Sequence, residues 1–233
     1  MSNSQKPIPV NRHSQVQHLT VPQDKRNSPR WAKRHQAILS RNKDSLNPPD
    51  VILIGDSIVQ QWEQAGSSVL RDWQQKLVIQ NLGFAGDKIQ HLLWRVEHGQ
   101  LDNINPALLV LNIGTNNVPD NTPQEIALGV NHLVRTIQLK LPDTQILLYR
   151  LFPRGEKHSI ERQLSTQASA LYSTLDKNSF IHDLDIHDNV VDNQDDISVE
   201  IMHDKLHLTR KGYEIWLKQL QPYFEHVFKH KDK

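Results

Sequence analysis

The sequence predicts an α/β protein built on a parallel sheet, and three observations carry that expectation. Five strand-length apolar runs, at 51–54, 77–80, 107–112, 145–151 and 180–184, alternate with segments of helical period. The runs are continuously apolar and lack the in-out alternation of a half-buried strand, so both faces of each strand are expected to be covered. The segments between them are long enough for right-handed crossovers.

Taken in order, residues 1–28 carry Pro7, Pro9 and Pro22 among many Gln, Asn and Ser, show no period, and read as a polar tail or a strap over the surface. A single domain is expected over 29–233. Trp31, His35, Ile38 and Leu39 recur at helical spacing after Pro29, and Asn47, Pro48, Pro49 and Asp50 stop that helix. Ile89, Leu92, Leu93 and Val96 fall at i, i+3, i+4 and i+7. The next helix opens on Thr122, Pro123, Gln124 and Glu125, a capping box with proline at the first helical position, and runs through Ile126, Val130, Leu133, Val134 and Ile137. A further helix is expected over 159–177 through Ile160, Leu164, Ala168, Leu171 and Leu175. The last is capped by Thr209 and lines up Tyr213, Trp216, Leu217, Leu220 and Phe224. Its end, at Tyr223, Phe224 and Phe228, is expected to leave the core and become exposed or touch a second subunit. The aperiodic, Asp- and Asn-rich stretch 185–203 reads as a long functional or covering loop.

Composition excludes several classes of function. Lys and Arg number 27 against 26 Asp and Glu, a net charge of +1, so no basic field recruits nucleic acid. The absence of cysteine excludes thiol catalysis, zinc ribbons and thioredoxin-like chemistry. No apolar run approaches the roughly 18 residues of a membrane span. The stretch Met1–Asp24 is polar, without the apolar core of an export signal, and the expected location is the cytoplasm. Only 9 of the 233 residues are glycine. Four of those glycines, Gly55, Gly83, Gly86 and Gly114, fall at predicted strand ends.

Strand ends are where an open parallel sheet binds its ligands. Gly55, Asp56 and Ser57 follow the first run, the segment 81–86 the second, and Gly114, Thr115, Asn116 and Asn117 the third. Asp204, Lys205, Leu206 and His207 follow the long loop. Acyl transfer requires a nucleophile, a base, a group that orients the base, and donors for the oxyanion. Ser57 fits the first role, His207 the second, and Asp204, three residues before the histidine, the third. The backbone N–H groups of Ser57 and Gly83 and a side-chain amide from Asn116 or Asn117 could serve as oxyanion donors; spacing does not choose between the asparagines. If the strand order is 2-1-3-4-5, Ser57 is flanked by Gly83 on one side and the asparagines on the other.

These blocks resemble the GDSL-type, or SGNH, hydrolase superfamily: G-D-S-I at 55–58, the glycine of N-L-G at 81–83, G-T-N-N at 114–117 and D-x-x-H at 204–207. Within it the chain is similar to the catalytic subunits of intracellular platelet-activating-factor acetylhydrolase and their bacterial relatives. That similarity rests on Arg30-Trp31, V-I-L-I-G-D-S-I-V-Q at 51–60, L-W-R-V-E-H-G at 93–99, L-F-P-R-G-E-K at 151–157 and L-H-L-T at 206–209. The resemblance implies a flavodoxin-like three-layer α/β/α sandwich with five parallel strands in the order 2-1-3-4-5. It implies hydrolysis of a short-chain, typically acetyl, ester of a small molecule or lipid. By the same resemblance Ser57 is nucleophile, His207 base and Asp204 its orienter, and Ser57, Gly83 and Asn116 form the oxyanion hole. Relatives in this branch act as dimers without metal or cofactor, so a homodimer with no cofactor and no metal is expected.

Plainer readings stand beside these. Gly86 is expected to supply a left-handed turn or to start the next helix. His182, His187 and His203 lie near Asp183, Asp185 and Asp188, but without metal-ligand spacing they read as loop polarity. A metallophosphoesterase would need an upstream Asp-x-His and a later Gly-Asn-His, which the sequence lacks. Trp94, one residue off its helix's apolar stripe, is expected half-buried at the sheet rim, and Arg154 is expected to pair with Glu156 or solvent. On the same site the alternatives are a carbohydrate O-acetylesterase, a thioesterase or a lysophospholipase; off it, a binding protein that kept the fold.

Overall fold

The computed structural model describes residues 19–44, 46–172 and 179–229. At its centre β1 (Val51–Gly55), β2 (Ile79–Gly83), β3 (Leu108–Asn112), β4 (Gln145–Tyr149) and β5 (Ile181–Leu184) form a parallel sheet in the order β2-β1-β3-β4-β5. In chain order the helices are α1 (Pro29–Asp44), α2 (Ser57–Gln60), α3 (Arg71–Gln74), α4 (Ile89–Arg95), α5 (Pro123–Lys140), α6 (Ile160–Tyr172), α7 (His187–Val190) and α8 (Arg210–Val227). Strand residues alternate between two buried faces. Ile52, Ile54, Leu109, Leu111, Ile146 and Leu148 pack with α1, α4, α5 and α6, whereas Val51, Leu53, Leu108, Val110, Leu147 and Tyr149 pack with α2, α7 and α8. Both faces are apolar because both are covered, which gives the three layers.

Local chemistry sets the helix ends. Thr122 Oγ1 accepts from Glu125 N–H at 3.3 Å, and the Glu125 carboxylate accepts from Thr122 N–H at 2.8 Å, closing the expected capping box. Thr209 caps α8 by accepting from Gly212 N–H. The described part of α6 ends at Tyr172; the remainder of the helix expected to 177 lies outside the described residues.

The strand expected at 77–80 instead spans Ile79–Gly83. Asn81 belongs to the ladder because its polar side chain is satisfied at the sheet edge, where Nδ2 donates to Val59 O at 2.8 Å and Oδ1 accepts from Gly83 N–H at 2.7 Å. Arg34 of α1 caps the same edge, with Nε donating to Gly83 O at 2.9 Å. The stretch read as a continuous loop contains α7 and two isolated antiparallel bridges, Val191 with Ile197 and Met202 with Leu208. Elements this short leave no period to detect.

Trp94 and Phe228 are both buried. Trp94 stacks on His98 with ring centroids 3.9 Å apart and meets Trp31 of α1 at 5.6 Å, because α1 covers the side of α4 that the apolar stripe leaves out. Phe228 closes the core beyond α8 instead of projecting from it. Residues 19–28 lie along the domain: Leu19 is buried in the core, Gln23 N–H donates to Gln90 O at 3.0 Å, and Lys25 Nζ donates to Gly86 O at 2.9 Å. Residues 1–18 lie outside the described residues. Among the described residues no helix is long and apolar enough to cross a membrane.

Candidate active site

The carboxyl end of β1 feeds directly into α2, so Ser57 is the first residue of a helix whose cap is Asp56. The Asp56 carboxylate accepts from Ile58 N–H at 2.9 Å, and the short turn lifts Ser57 over the sheet edge. Ser57 Oγ lies 3.0 Å from His207 Nε2, and His207 Nδ1 lies 2.7 Å from Asp204 Oδ2. The structure therefore brings together these three residues, which lie 150 positions apart at the widest pair.

The turn holding Asp204 and His207 is shaped by its own hydrogen bonds. Asp204 Oδ1 accepts from Leu206 N–H at 3.1 Å and His207 N–H at 2.7 Å. Burial opposes ionisation of Asp204, but the bonds from the His207 ring, His207 N–H and Leu206 N–H outweigh it and hold its carboxyl at about 2. A carboxylate fixed in the ionised state beside Nδ1 selects the tautomer with a proton on that nitrogen. Nε2 is then left as an acceptor toward the serine hydroxyl. A line of atoms of this kind can deprotonate a hydroxyl as it attacks a carbonyl carbon.

Of the three expected oxyanion donors, Gly83 is contradicted. Its N–H is taken by Asn81 Oδ1, and it sits inside β2, opposite Gly55. Glycine is required there because a Cβ would come within 2.2 Å of Gln60 N in α2. Gly86, by contrast, lies exposed in the loop beyond β2 with φ +70°, and its N–H makes no hydrogen bond to a described residue. The same holds for Ser57 N–H. Asn116, in the short 3₁₀ turn Thr115–Asn117, donates through Nδ2 to Asp87 O at 2.9 Å, which leaves its second amide proton. Asn117 is fully buried; its side chain bonds Ile89 N–H, Gln90 and Asn121, so it holds α4 and is spent.

Beneath this loop lies a charged network that the sequence analysis missed. Asp87 and Arg95 are fully buried and paired at 2.8 Å, and Trp31 Nε1 donates to the same carboxylate at 2.8 Å. Arg95 also donates to Leu82 O at 3.1 Å, to Gly55 O at 3.2 Å and to Gln100 Oε1, and lies 4.0 Å over the Phe84 ring. It thus ties the ends of β1 and β2 to the loop carrying Gly86. A signal was present: Arg95 is three residues past Leu92, on the buried side of an amphipathic helix. Asp56 adds a second buried carboxyl, which burial pushes up to about 7.

The histidines outside this site do not converge on it as a group. His182 packs on Tyr223, His187 lies 3.2 Å from Asp188 and 3.4 Å from Asp195, and His203 lies 3.8 Å from Asp204. Among the described residues no cluster of three such side chains could hold a metal.

Comparison with known proteins agrees with this architecture. The chain is 37% identical over 185 residues, 79% of each sequence, to the platelet-activating factor acetylhydrolase IB subunit alpha2 of Rattus norvegicus, and 33% identical to subunit alpha1 of Homo sapiens over 83% of this chain and 82% of that one. Its fold matches a GDSL-like lipase from Bacteroides thetaiotaomicron with a TM-score of 0.66 at 17% identity, covering 83% of this chain and 98% of that one. A family 3 carbohydrate esterase from Clostridium thermocellum matches with a TM-score of 0.58 at 18% identity, over 78% and 99% of the two chains. The GDSL-like lipase/acylhydrolase family profile matches residues 53–215, a span that opens in β1 and closes in α8. With its sheet order, its strand-end blocks and these relatives in agreement, the chain belongs to the GDSL-like lipase/acylhydrolase family and is an ester-cleaving hydrolase.

Proposed function

We propose that the protein is a serine esterase acting on short-chain, acetyl-type carboxylic esters through an acyl-enzyme at Ser57. The observation that supports this most directly is the continuous line from Ser57 Oγ through the His207 ring to Asp204, with separations of 3.0 and 2.7 Å. In this reading His207 Nε2 takes the Ser57 proton as Oγ bonds to the ester carbonyl carbon, then returns it to the departing alkoxide. A water deprotonated by His207 attacks the acyl-enzyme, releasing the carboxylic acid and restoring Ser57. Asp204 stays ionised throughout and stabilises the imidazolium. The oxyanion is received by Ser57 N–H, by the remaining amide proton of Asn116 and by Gly86 N–H, which replaces Gly83 because Gly86 lies exposed and its N–H makes no hydrogen bond to a described residue.

An acetyl-sized acyl group is supported by relatives named platelet-activating factor acetylhydrolase, while a neighbour in fold is named a carbohydrate esterase. Those names differ in the alcohol, lipid in one and sugar in the other, and agree on an ester. The test is turnover of 4-nitrophenyl acetate, butyrate and octanoate, with Ser57→Ala as control. Activity is expected to fall with chain length and to drop by at least about 10³-fold in the control. Wild-type turnover by Ser57→Ala would sink the mechanism, and preference for octanoate would sink the acetyl assignment.

A further inference from the structure

The loop that follows β4 touches segments that follow two other strands, β3 and β5. Arg154 Nη1 donates to Thr115 O at 2.6 Å and to Thr115 Oγ1 at 3.0 Å, and Thr115 opens the 3₁₀ turn that carries Asn116. The neighbouring Gly155 N–H donates to Lys205 O at 2.8 Å, between Asp204 and His207. Arg154 is therefore not paired with Glu156, as the sequence led us to expect; Glu156 instead lies 3.7 Å from Lys205 Nζ. Beneath the loop the buried Arg162 donates to the carbonyl oxygens of Arg154 at 2.9 Å, Gly155 at 2.8 Å and Asp195 at 3.0 Å.

Lys205 shows what this bracing sustains. Its φ is +57°, a left-handed conformation that a residue with a side chain keeps only when its surroundings over-determine it. Here its carbonyl is held by Gly155 N–H, and its own Nζ donates to Asp196 Oδ1 at 2.9 Å and Ile197 O at 2.7 Å. The bend at Lys205 lets Asp204 fold back onto both His207 N–H and the His207 ring.

We propose that the 153–157 loop is a cross-brace that fixes the asparagine side of the site relative to the Asp204–His207 turn, with Arg154 as a positioning residue for ester hydrolysis. The inference rests on the active-site reading given under Proposed function. Arginine suits the task because one planar nitrogen reaches both oxygens of Thr115 while the rest of the guanidinium stays in a fixed plane. A lysine at 154 would offer only a mobile point charge.

The experiment measures kcat and KM on 4-nitrophenyl acetate for Arg154→Ala and Arg154→Lys, with and without added methylguanidinium, and with Ser57→Ala in parallel. A misplaced catalytic group costs up to about 10²-fold, so kcat is expected to fall about 10- to 100-fold in Arg154→Ala, and less in Arg154→Lys, with KM within about twofold. Methylguanidinium is expected to restore part of kcat to Arg154→Ala and none to Arg154→Lys. If Arg154→Ala fails to fold, the kcat and KM of Arg154→Lys decide alone. Values of kcat within about twofold of wild type, or a raised KM at unchanged kcat, overturn the brace. Full activity in Ser57→Ala overturns the underlying site reading together with it; loss of activity there beside wild-type kcat at Arg154 overturns the brace alone.

Discussion

The two halves of the site are held by different means. The half carrying Ser57 and Gly86 grows out of β1 and β2 and sits on fully buried charges, Asp87 and Arg95, locked to each other and to the strand-end carbonyls of Gly55 and Leu82. The half carrying Asp204 and His207 rides on a segment of bridges and turns, with the Asp204 side chain 41% exposed and a left-handed Lys205 at its bend. A sheet end can be fixed by core electrostatics. A turn outside the sheet has to be fixed from its neighbours, so removing the buried charges beneath the first half should read out as stability and altering the Asp204–His207 turn as rate.

The largest effect that would sharpen this contrast is expected from Asp204→Asn. An amide in place of the carboxylate favours the wrong histidine tautomer, and kcat should drop by about 10³- to 10⁴-fold. Because the side chain is partly exposed, the melting temperature should stay within a few degrees. A large loss of stability in this variant would erase the distinction. Arg95→Met is expected to act in the opposite way: it takes the buried guanidinium away from the Asp87 carboxylate and leaves only the partly exposed Lys25 Nζ, 3.6 Å away, and the Trp31 Nε1 hydrogen bond beside it, which costs about 3–5 kcal/mol in urea unfolding. Adding Asp87→Asn should recover part of that loss. A cost below about 1 kcal/mol would show that the strand-end half does not depend on its buried pair.

The smallest effect concerns Asp56, whose carboxyl burial raises to about 7 from an ordinary value of 3.8. The native state keeps a proton that the unfolded chain releases above about pH 4, so the contribution of Asp56 is full below that pH and is lost as pH rises through about 7. Asp56→Asn keeps the oxygen that caps Ile58 N–H but cannot ionise. Its melting temperature relative to wild type should climb by about 5–10 °C between pH 5 and pH 8. A difference independent of pH would mean that Asp56 is ionised in the native protein.

Much of this was legible before any coordinates. Continuous apolar runs announced a sheet covered on both faces, and the Thr122 capping box started α5 where expected. Ser57, Asp204 and His207 could be proposed because each is a residue type with few alternatives in its block. Misreadings arose where side-chain identity says little about environment. Asn81 looks like a loop residue until its amide is seen bonding the edge of β2, and Trp94 looks half-buried until α1 is laid over it.

The sequence by itself determined the fold class, the strand-end location of the site and the residue types able to do acyl-transfer chemistry, because periodicity and functional groups are properties of the chain. Only the tertiary structure decided which backbone N–H groups remain free. Gly83 and Gly86 are identical in chemistry and three positions apart. One spends its N–H on a neighbouring side chain within a strand and is glycine so that α2 can pack against it; the other turns left-handed at the surface, its N–H unspent among the described residues. Hydrogen-bond availability depends on where every other polar atom lies, and no local pattern records that.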